Sequence, residues 1–219
     1  MKKAVLIILT FALLAIPGLA ARLDTGFAPE GLDELTKGKG RFKTTLIHPD
    51  ADFSRYTKLN PRKVMLVVES PALQIGEPAT GSLIGKTNRS IELPPPEELD
   101  EFREIVNQAI IDELAAGADR QLVKEYGPDT LVLRVTIIDI VFSTAKSGGE
   151  RVPAMSKGTI VFDLIDGESG VIQARFGEQR KCPKEASPGS AVNPGEPWPN
   201  LDLWAELAAA DLCRELDPI

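Results

Sequence analysis

Residues Thr130–Phe142 read TLVLRVTIIDIVF, a long run dominated by β-branched and other aliphatic side chains. Such residues favour an extended strand. Two further strands are predicted at Gly158–Ile165 and Val171–Phe176, and the segment Asp166–Gly170 (DGESG) between them is a hairpin turn signal. In the last strand apolar and polar residues alternate, which predicts one buried and one solvated face.

Two helices are predicted, one before these strands in the sequence and one after them. The first follows three prolines and begins near Glu97. Gly117 is interpreted either as its cap or as an interruption, after which Asp119–Tyr126 continue the helix up to Gly127-Pro128. Its apolar residues recur at steps of three and four, as a helix with one buried stripe requires: Leu99, Phe102, Val106, Ala109, Ile110 and Leu114. The second is predicted over Leu201–Leu216, with the stripe Leu201, Trp204, Ala208 and Leu212.

An earlier strand is predicted at Lys63–Ser70 (KVMLVVES). The element order is then strand, helix, strand, strand, strand, helix. The expected fold class is α+β, a single mixed or antiparallel sheet of about four strands with two helices packed on one face. Residues 61–219 are expected to form this domain. Residues 21–60 show no sustained apolar period, which predicts an extended segment pinned to the domain by its aromatic side chains.

The N-terminus has the pattern of a secretory signal. Two lysines precede the apolar run Ala4–Ile16, and the small residues of Pro17–Ala20 follow it. We therefore expect residues 1–20 to be a signal peptide cut after Ala20, which places the mature protein in the periplasm or outside the cell. The run is short for a bilayer, so no stable membrane insertion is expected after cleavage.

The charge balance bears on the class of partner. The formal net charge is −7, and loss of the two lysines in the signal changes it to −9. An excess of negative charge disfavours nucleic acid and anionic membrane surfaces as partners. We expect no nucleic-acid partner.

The local motifs do not meet the requirements of a catalytic or cofactor site. Gly81–Thr87 resembles a phosphate loop, but it has one residue too few between its glycines and leads into prolines. His48 is the only histidine, which excludes a multi-histidine metal site. Asp163, Asp166 and Glu168 lack the ligand alternation of a calcium loop. The sequence therefore predicts no catalytic, cofactor-binding or metal-ligating residue and no cofactor.

The chain contains two cysteines, Cys182 after the last predicted strand and Cys213 on the flank of the terminal helix. An even number of cysteines in an exported protein favours a bridge, because the compartment is oxidising. We predict a disulfide between Cys182 and Cys213 that joins the terminal helix to the sheet. The alternative is two buried thiols that behave as small hydrophobes.

Two short motifs and the terminal helix are similar to features of a known group of proteins. The stretch Asp52–Tyr56 (DFSRY, a D-F-S-x-Y pattern) precedes the first predicted strand, and the late hairpin Asp166–Gly170 has the pattern D-x-x-x-G. These features resemble a family of uncharacterised bacterial envelope proteins, many of them lipoproteins. The resemblance implies an envelope location and a small domain like those of periplasmic accessory proteins, and it supplies no catalytic residues. The lipobox cysteine common in that family is absent here.

Together these observations predict a secreted, non-enzymatic envelope protein. We expect it to act as a docking or accessory component whose partner is another envelope protein. The alternative is a periplasmic binding module for a small ligand or an envelope polymer, held in a cleft between the open face of the sheet and the Pro183–Pro199 loop. An enzyme is not expected, because no segment carries a catalytic constellation.

Overall fold

The computed structural model describes residues 31–68, 94–147, 150–183 and 198–216. Within these ranges the chain forms eight strands and two helices: β1 (Thr36–Lys37), β2 (Thr44–Ile47), β3 (Lys58–Pro61), β4 (Met65–Leu66), α1 (Pro96–Gly117), β5 (Gln121–Leu122), β6 (Thr130–Ser147), β7 (Glu150–Asp166), β8 (Ile172–Lys181) and α2 (Leu201–Leu216). The predicted signal at residues 1–20, the Gly81–Thr87 motif and most of the Pro183–Pro199 loop lie outside the described residues. Neither described helix combines the length and apolar character needed to cross a membrane.

The strands form one mixed sheet in the order β1-β2-β8-β7-β6-β3-β5, with β4 beside β6. The three long strands β6, β7 and β8 pair antiparallel at its centre. Strands β3 and β4 run parallel to β6, and β5 runs parallel to β3. The α+β class is therefore confirmed, whereas the predicted sheet of about four strands is wrong, because the sheet has eight.

The undercount has a physical cause. Strands β1, β2, β3 and β5 are two to four residues long. A segment of that length shows no measurable apolar period, and it becomes a strand because a neighbour supplies its hydrogen bonds. Within the predicted strand Lys63–Ser70, the described residues form a strand only at Met65–Leu66, and the N–H of Val67 makes one further backbone hydrogen bond to Ile137 of β6.

A single core lies between the helices and one face of the sheet. Alternate residues of the central strands point into it: Leu131, Leu133, Val135 and Ile137 of β6, Ile160, Phe162 and Leu164 of β7, and Ala174 and Phe176 of β8. The predicted stripe of α2 is fully buried, as is that of α1 apart from the half-buried Leu99. The helical periodicity therefore identified the correct core faces.

The segment before residue 60 is part of the domain. Phe42 is buried against Phe162 and Phe176, with ring centroids 5.7 and 5.6 Å apart respectively. Strand β2 extends the sheet beside β8, and β3 crosses the boundary that was predicted after residue 60. The described residues 31–60 thus contribute both strands and core side chains.

Truncation of Phe42 tests this placement. We expect Phe42→Ala to lower the free energy of unfolding by about 3 kcal/mol, because it removes a buried ring from the core. Tyr126 is exposed and its ring and hydroxyl contact Arg62, so Tyr126→Ala is a control of similar size that should cost less than about 1 kcal/mol. Urea denaturation of the full chain measures both. A loss for Phe42→Ala as small as that of the control would contradict the integration of this segment.

Candidate functional site

Asp166 joins the late hairpin to the segment before β3. Its carboxylate is almost completely buried. Oδ1 accepts hydrogen bonds from the backbone N–H groups of Glu168 and Ser169, at 3.0 and 2.6 Å, and from the Ser169 hydroxyl at 2.9 Å. Oδ2 accepts from the Tyr56 hydroxyl at 2.7 Å and from the guanidinium of Arg55. The two motifs behind the family resemblance therefore meet at one carboxylate.

These donors determine the charge state of Asp166. Burial by itself raises the pKa of this carboxyl, but the hydrogen bonds from Ser169, Tyr56 and Glu168 outweigh it and lower the pKa to about 2. Burial and the neighbouring carboxylate raise the pKa of Tyr56, so its phenol stays protonated and donates. The site is a structural junction, since both oxygens of the buried carboxylate accept hydrogen bonds from groups of the protein.

The second buried carboxylate, Asp163, lies on the sheet face opposite the helices. Arg134 on β6 and Arg175 on β8 stand directly across from it in the strand register. Arg175 donates from Nε to Oδ1 at 2.6 Å and from Nη2 to Oδ2 at 3.0 Å, and Arg134 donates from Nη2 to Oδ2 at 2.8 Å. Two guanidinium groups around one carboxylate leave this row with a net positive charge.

A groove lies where the end of β8 meets α2. It has a volume of about 480 Å³ and is lined by residues 178–181, Arg41, Pro183, Trp204, Leu207 and Asp211. Trp204 is buried, whereas Leu207 is 49% exposed and is one of the two large apolar side chains that stand out at the described surface. We call this the β8 groove.

A smaller pocket of about 260 Å³ lies on the opposite face of the sheet, beside the same strand. Its lining includes Lys43, Thr44, Thr159, Arg175 and Gln179. We call this the outer pocket. The β8 groove and the outer pocket thus flank one short stretch of β8 from both faces of the sheet.

That stretch is an open strand edge. Strand β2 pairs with β8 only from Ala174 to Gly177, while β7 pairs with β8 as far as Lys181. Beyond Gly177 no described residue bonds to the backbone of β8 on the β2 side. An open edge of this kind presents N–H and C=O groups that another extended chain can pair with.

The charges around this edge are mostly positive. Arg41, Lys43 and Lys181 are exposed and make no ion pair with any described residue. The acidic residues of the groove, Glu178 and Asp211, are both bound by Arg180. In a chain with a formal net charge of −7, the edge is therefore a local basic region.

The predicted disulfide between Cys182 and Cys213 is not formed in the structure. The Cys182 thiol lies 3.5 Å from the carbonyl oxygen of Asn200, at the start of α2. Cys213 lies thirteen residues further along the chain, or about 20 Å along the helix axis at its usual rise per residue. A disulfide needs Cα atoms within about 7 Å, so this arrangement prevents the bond.

The described residues contain no cluster of three or more histidine, cysteine, aspartate or glutamate side chains suited to a metal ion. Of the three buried carboxylates among the described residues, Asp163 and Asp166 are each held by arginine side chains, and Glu215 accepts from the backbone N–H of Arg41. His48, the only histidine, contacts Glu34 at 3.0 Å near the sheet edge.

The sequence prediction did not identify the residues of the β8 groove. Leu207 lies off the predicted stripe of α2. An apolar residue outside the buried stripe of a helix indicates an exposed apolar contact, so Leu207 could have been predicted from the sequence. The open edge at residues 178–181 left no signal in the sequence, because it depends on where β2 ends.

Comparisons with known proteins gave only distant structural likenesses. No family model matches the chain, and no curated protein matches it. A PelC dodecamer from Paraburkholderia phytofirmans is 14% identical, with a TM-score of 0.40, covering 83% of this chain and 93% of its own. A PDZ domain protein from Parabacteroides distasonis is 9% identical, with a TM-score of 0.38 and coverage of 80% and 35%. A neuraminyllactose-binding hemagglutinin homolog from Helicobacter pylori is 11% identical, with a TM-score of 0.26 and coverage of 74% and 82%. Scores this low carry no argument about function.

The Asp166 junction predicts a specific pH dependence. Because the folded pKa of Asp166 is about 2 against an ordinary 3.8, its contribution to stability is complete above pH 4 and is lost as the pH falls toward 2. We expect Asp166→Asn to lower the free energy of unfolding by roughly 2 to 3 kcal/mol at pH 7 and by progressively less below pH 4. Glu168→Gln, in the exposed part of the same turn, should leave the profile unchanged. Parallel urea titrations from pH 2 to pH 7 measure this, and a pH-independent difference for Asp166→Asn would contradict it.

The cysteines provide a separate test. Burial and the nearby carboxylate of Asp202 raise the pKa of Cys182 to about 11, so little of its reactive thiolate is present at pH 8. Protein purified without reductant should therefore show two thiols after unfolding and react slowly when folded. Cys182→Ser should leave one thiol. Detection of an intact Cys182–Cys213 bond by mass spectrometry would contradict the structure.

Proposed function

We propose that this protein is an exported, non-enzymatic envelope protein that docks to another envelope component as an accessory subunit. The observation that carries the proposal is the β8 groove. Its exposed Leu207 lies beside the buried Trp204, and charged side chains surround both. An apolar contact point with a polar rim is typical of protein interaction surfaces.

Two further observations support this proposal. Residues 1–20 have the pattern of a secretory signal, which favours the periplasm or the outside of the cell as its location. The buried carboxylates Asp163 and Asp166 hold the fold together through arginine contacts, and this use favours a binding role over catalysis. The short motifs at Asp52–Tyr56 and Asp166–Gly170 are consistent with membership of the envelope family that they resemble.

Site-specific crosslinking tests the docking function. Leu207 is replaced by a photoreactive phenylalanine analogue, and the full chain is expressed in a bacterium that makes the protein naturally. Illumination of intact cells should give one discrete crosslinked envelope protein, because the groove brings the partner within contact distance of this side chain.

Tyr126 is the matched control position. It is 59% exposed and lies just after β5, at the opposite edge of the sheet. The same analogue at position 126 should give no discrete product. Equal crosslinking at both positions, or none at position 207, would count against docking through the β8 groove.

A further inference from the structure

We infer that the partner binds as an added strand along the open edge of β8, through an extended segment in which apolar and acidic residues alternate. This inference rests on the proposed docking function and adds the binding mode and the chemistry of the ligand. Strand addition to an exposed sheet edge is an established way for a protein to recognise an extended peptide.

The backbone of β8 has the geometry for strand addition. The N–H of Cys182 bonds to Ser156 of the segment paired with β8, at 3.0 Å. Successive residues of an antiparallel strand direct their backbone N–H and C=O groups to opposite sides. The backbone groups of Arg180, two residues before Cys182, therefore also point to β7, and those of the odd-numbered neighbours point away from it. Gln179 and Lys181 therefore direct their backbone groups to the side that β2 leaves open.

The two cavities match the side-chain pattern of such a strand. Side chains of a strand point alternately to the two faces of a sheet. A chain added beside residues 178–181 would place every second side chain in the β8 groove, against Trp204 and Leu207. The intervening side chains would enter the outer pocket, near Thr44 and Thr159.

The charges distinguish the two faces of the added strand. Lys181 stands directly opposite Lys157 in the register of β7 and β8. Like charges at facing positions destabilise a sheet, so this pair favours a nearby anion. Lys43 and Arg175 add positive charge in the outer pocket. We therefore assign the acidic side chains of the partner to the outer face and its apolar side chains to the β8 groove.

The negative groups near the edge do not oppose this assignment. Arg180 binds both Glu178, at 2.8 Å, and Asp211, and Arg214 also binds Asp211, at 2.9 Å, so two guanidinium groups compensate these two carboxylates. Glu215 of α2 is buried and accepts a hydrogen bond from the backbone N–H of Arg41. Four other acidic residues of the helices lie close enough together that burial and their mutual repulsion raise the pKa of Glu206: Asp112, Glu113, Asp202 and Glu206 itself. That acidic helix surface would confine an acidic segment to the edge of the sheet.

A peptide of the assigned pattern tests the inference. The probe is a fluorescein-labelled, end-capped hexapeptide Val-Glu-Val-Glu-Val-Glu, titrated into the full chain and followed by fluorescence anisotropy. Binding should occur, and amide hydrogen exchange should slow at Gln179 and Lys181 by tenfold or more. The lysine analogue of the peptide, and an analogue with alternate N-methylated amides, should bind at least about tenfold more weakly.

Two variants, each with a control, distinguish the contribution of backbone hydrogen bonds to peptide binding from the contribution of charge. Gln179→Pro removes an N–H that points to the open side, a position where an edge strand tolerates proline, and it should abolish binding. Gln179→Ala keeps that N–H and should bind normally. Lys181→Glu places an acid opposite Lys157, so it should fold at least as stably while binding about tenfold more weakly. Lys124→Glu, at the other edge of the sheet, is the matched charge control.

Several outcomes would overturn the inference. Equal binding by Gln179→Pro and Gln179→Ala would exclude strand addition, and equal binding of the acidic and lysine peptides would exclude the charge assignment. Failure of every peptide to bind would exclude both. Concentration-dependent self-association that Gln179→Pro removes would identify a second copy as the occupant instead. Each of these results leaves the proposed docking function intact if position 207 still crosslinks to an envelope protein, whereas loss of that crosslink would remove both.

Discussion

The buried carboxylate of Asp166 is the contact on which the path of the N-terminal segment depends. Strand β2 lies beside β8 and β3 lies beside β6, so the connection between them must cross the ends of β8, β7 and β6. Arg55 and Tyr56 lie in that connection and bind Asp166 in the turn between β7 and β8. A buried charge is stable only when donors satisfy it. The same carboxylate therefore closes the hairpin and fixes the crossing segment above it.

The two faces of the sheet use different physical means of stabilisation. One face is covered by α1 and α2, and alternate apolar residues of the central strands bury against the helices. On the other face, Arg134, Asp163 and Arg175 form a charged row across three strands. Apolar burial is non-directional, whereas the charged row requires opposite residues in register, so it favours one pairing of β6, β7 and β8.

A difference in strand length creates the proposed functional edge. Strand β8 has ten residues, whereas β2 has four and ends its pairing at Gly177. The unmatched end of β8 then lies between the β8 groove and the outer pocket. Lysine on an exposed edge discourages pairing with further copies of the same edge. In the binding mode inferred above, the same positive charge would favour an acidic strand, so protection against aggregation and selection of a partner would have one physical basis.

The sequence by itself determined the α+β class, both helices with their buried stripes, and the three central strands, because these elements are long enough to show a period. It also drew attention to Asp52–Tyr56 and Asp166–Gly170 without indicating that they meet. The tertiary structure alone decided the short strands β1, β2, β3 and β5, the separation of Cys182 from Cys213 by most of a helix, and the open edge of β8. The physical reason is that a periodic pattern depends only on residues close together in the sequence. A two-residue strand, a disulfide and an unpaired edge depend on segments far apart in the chain.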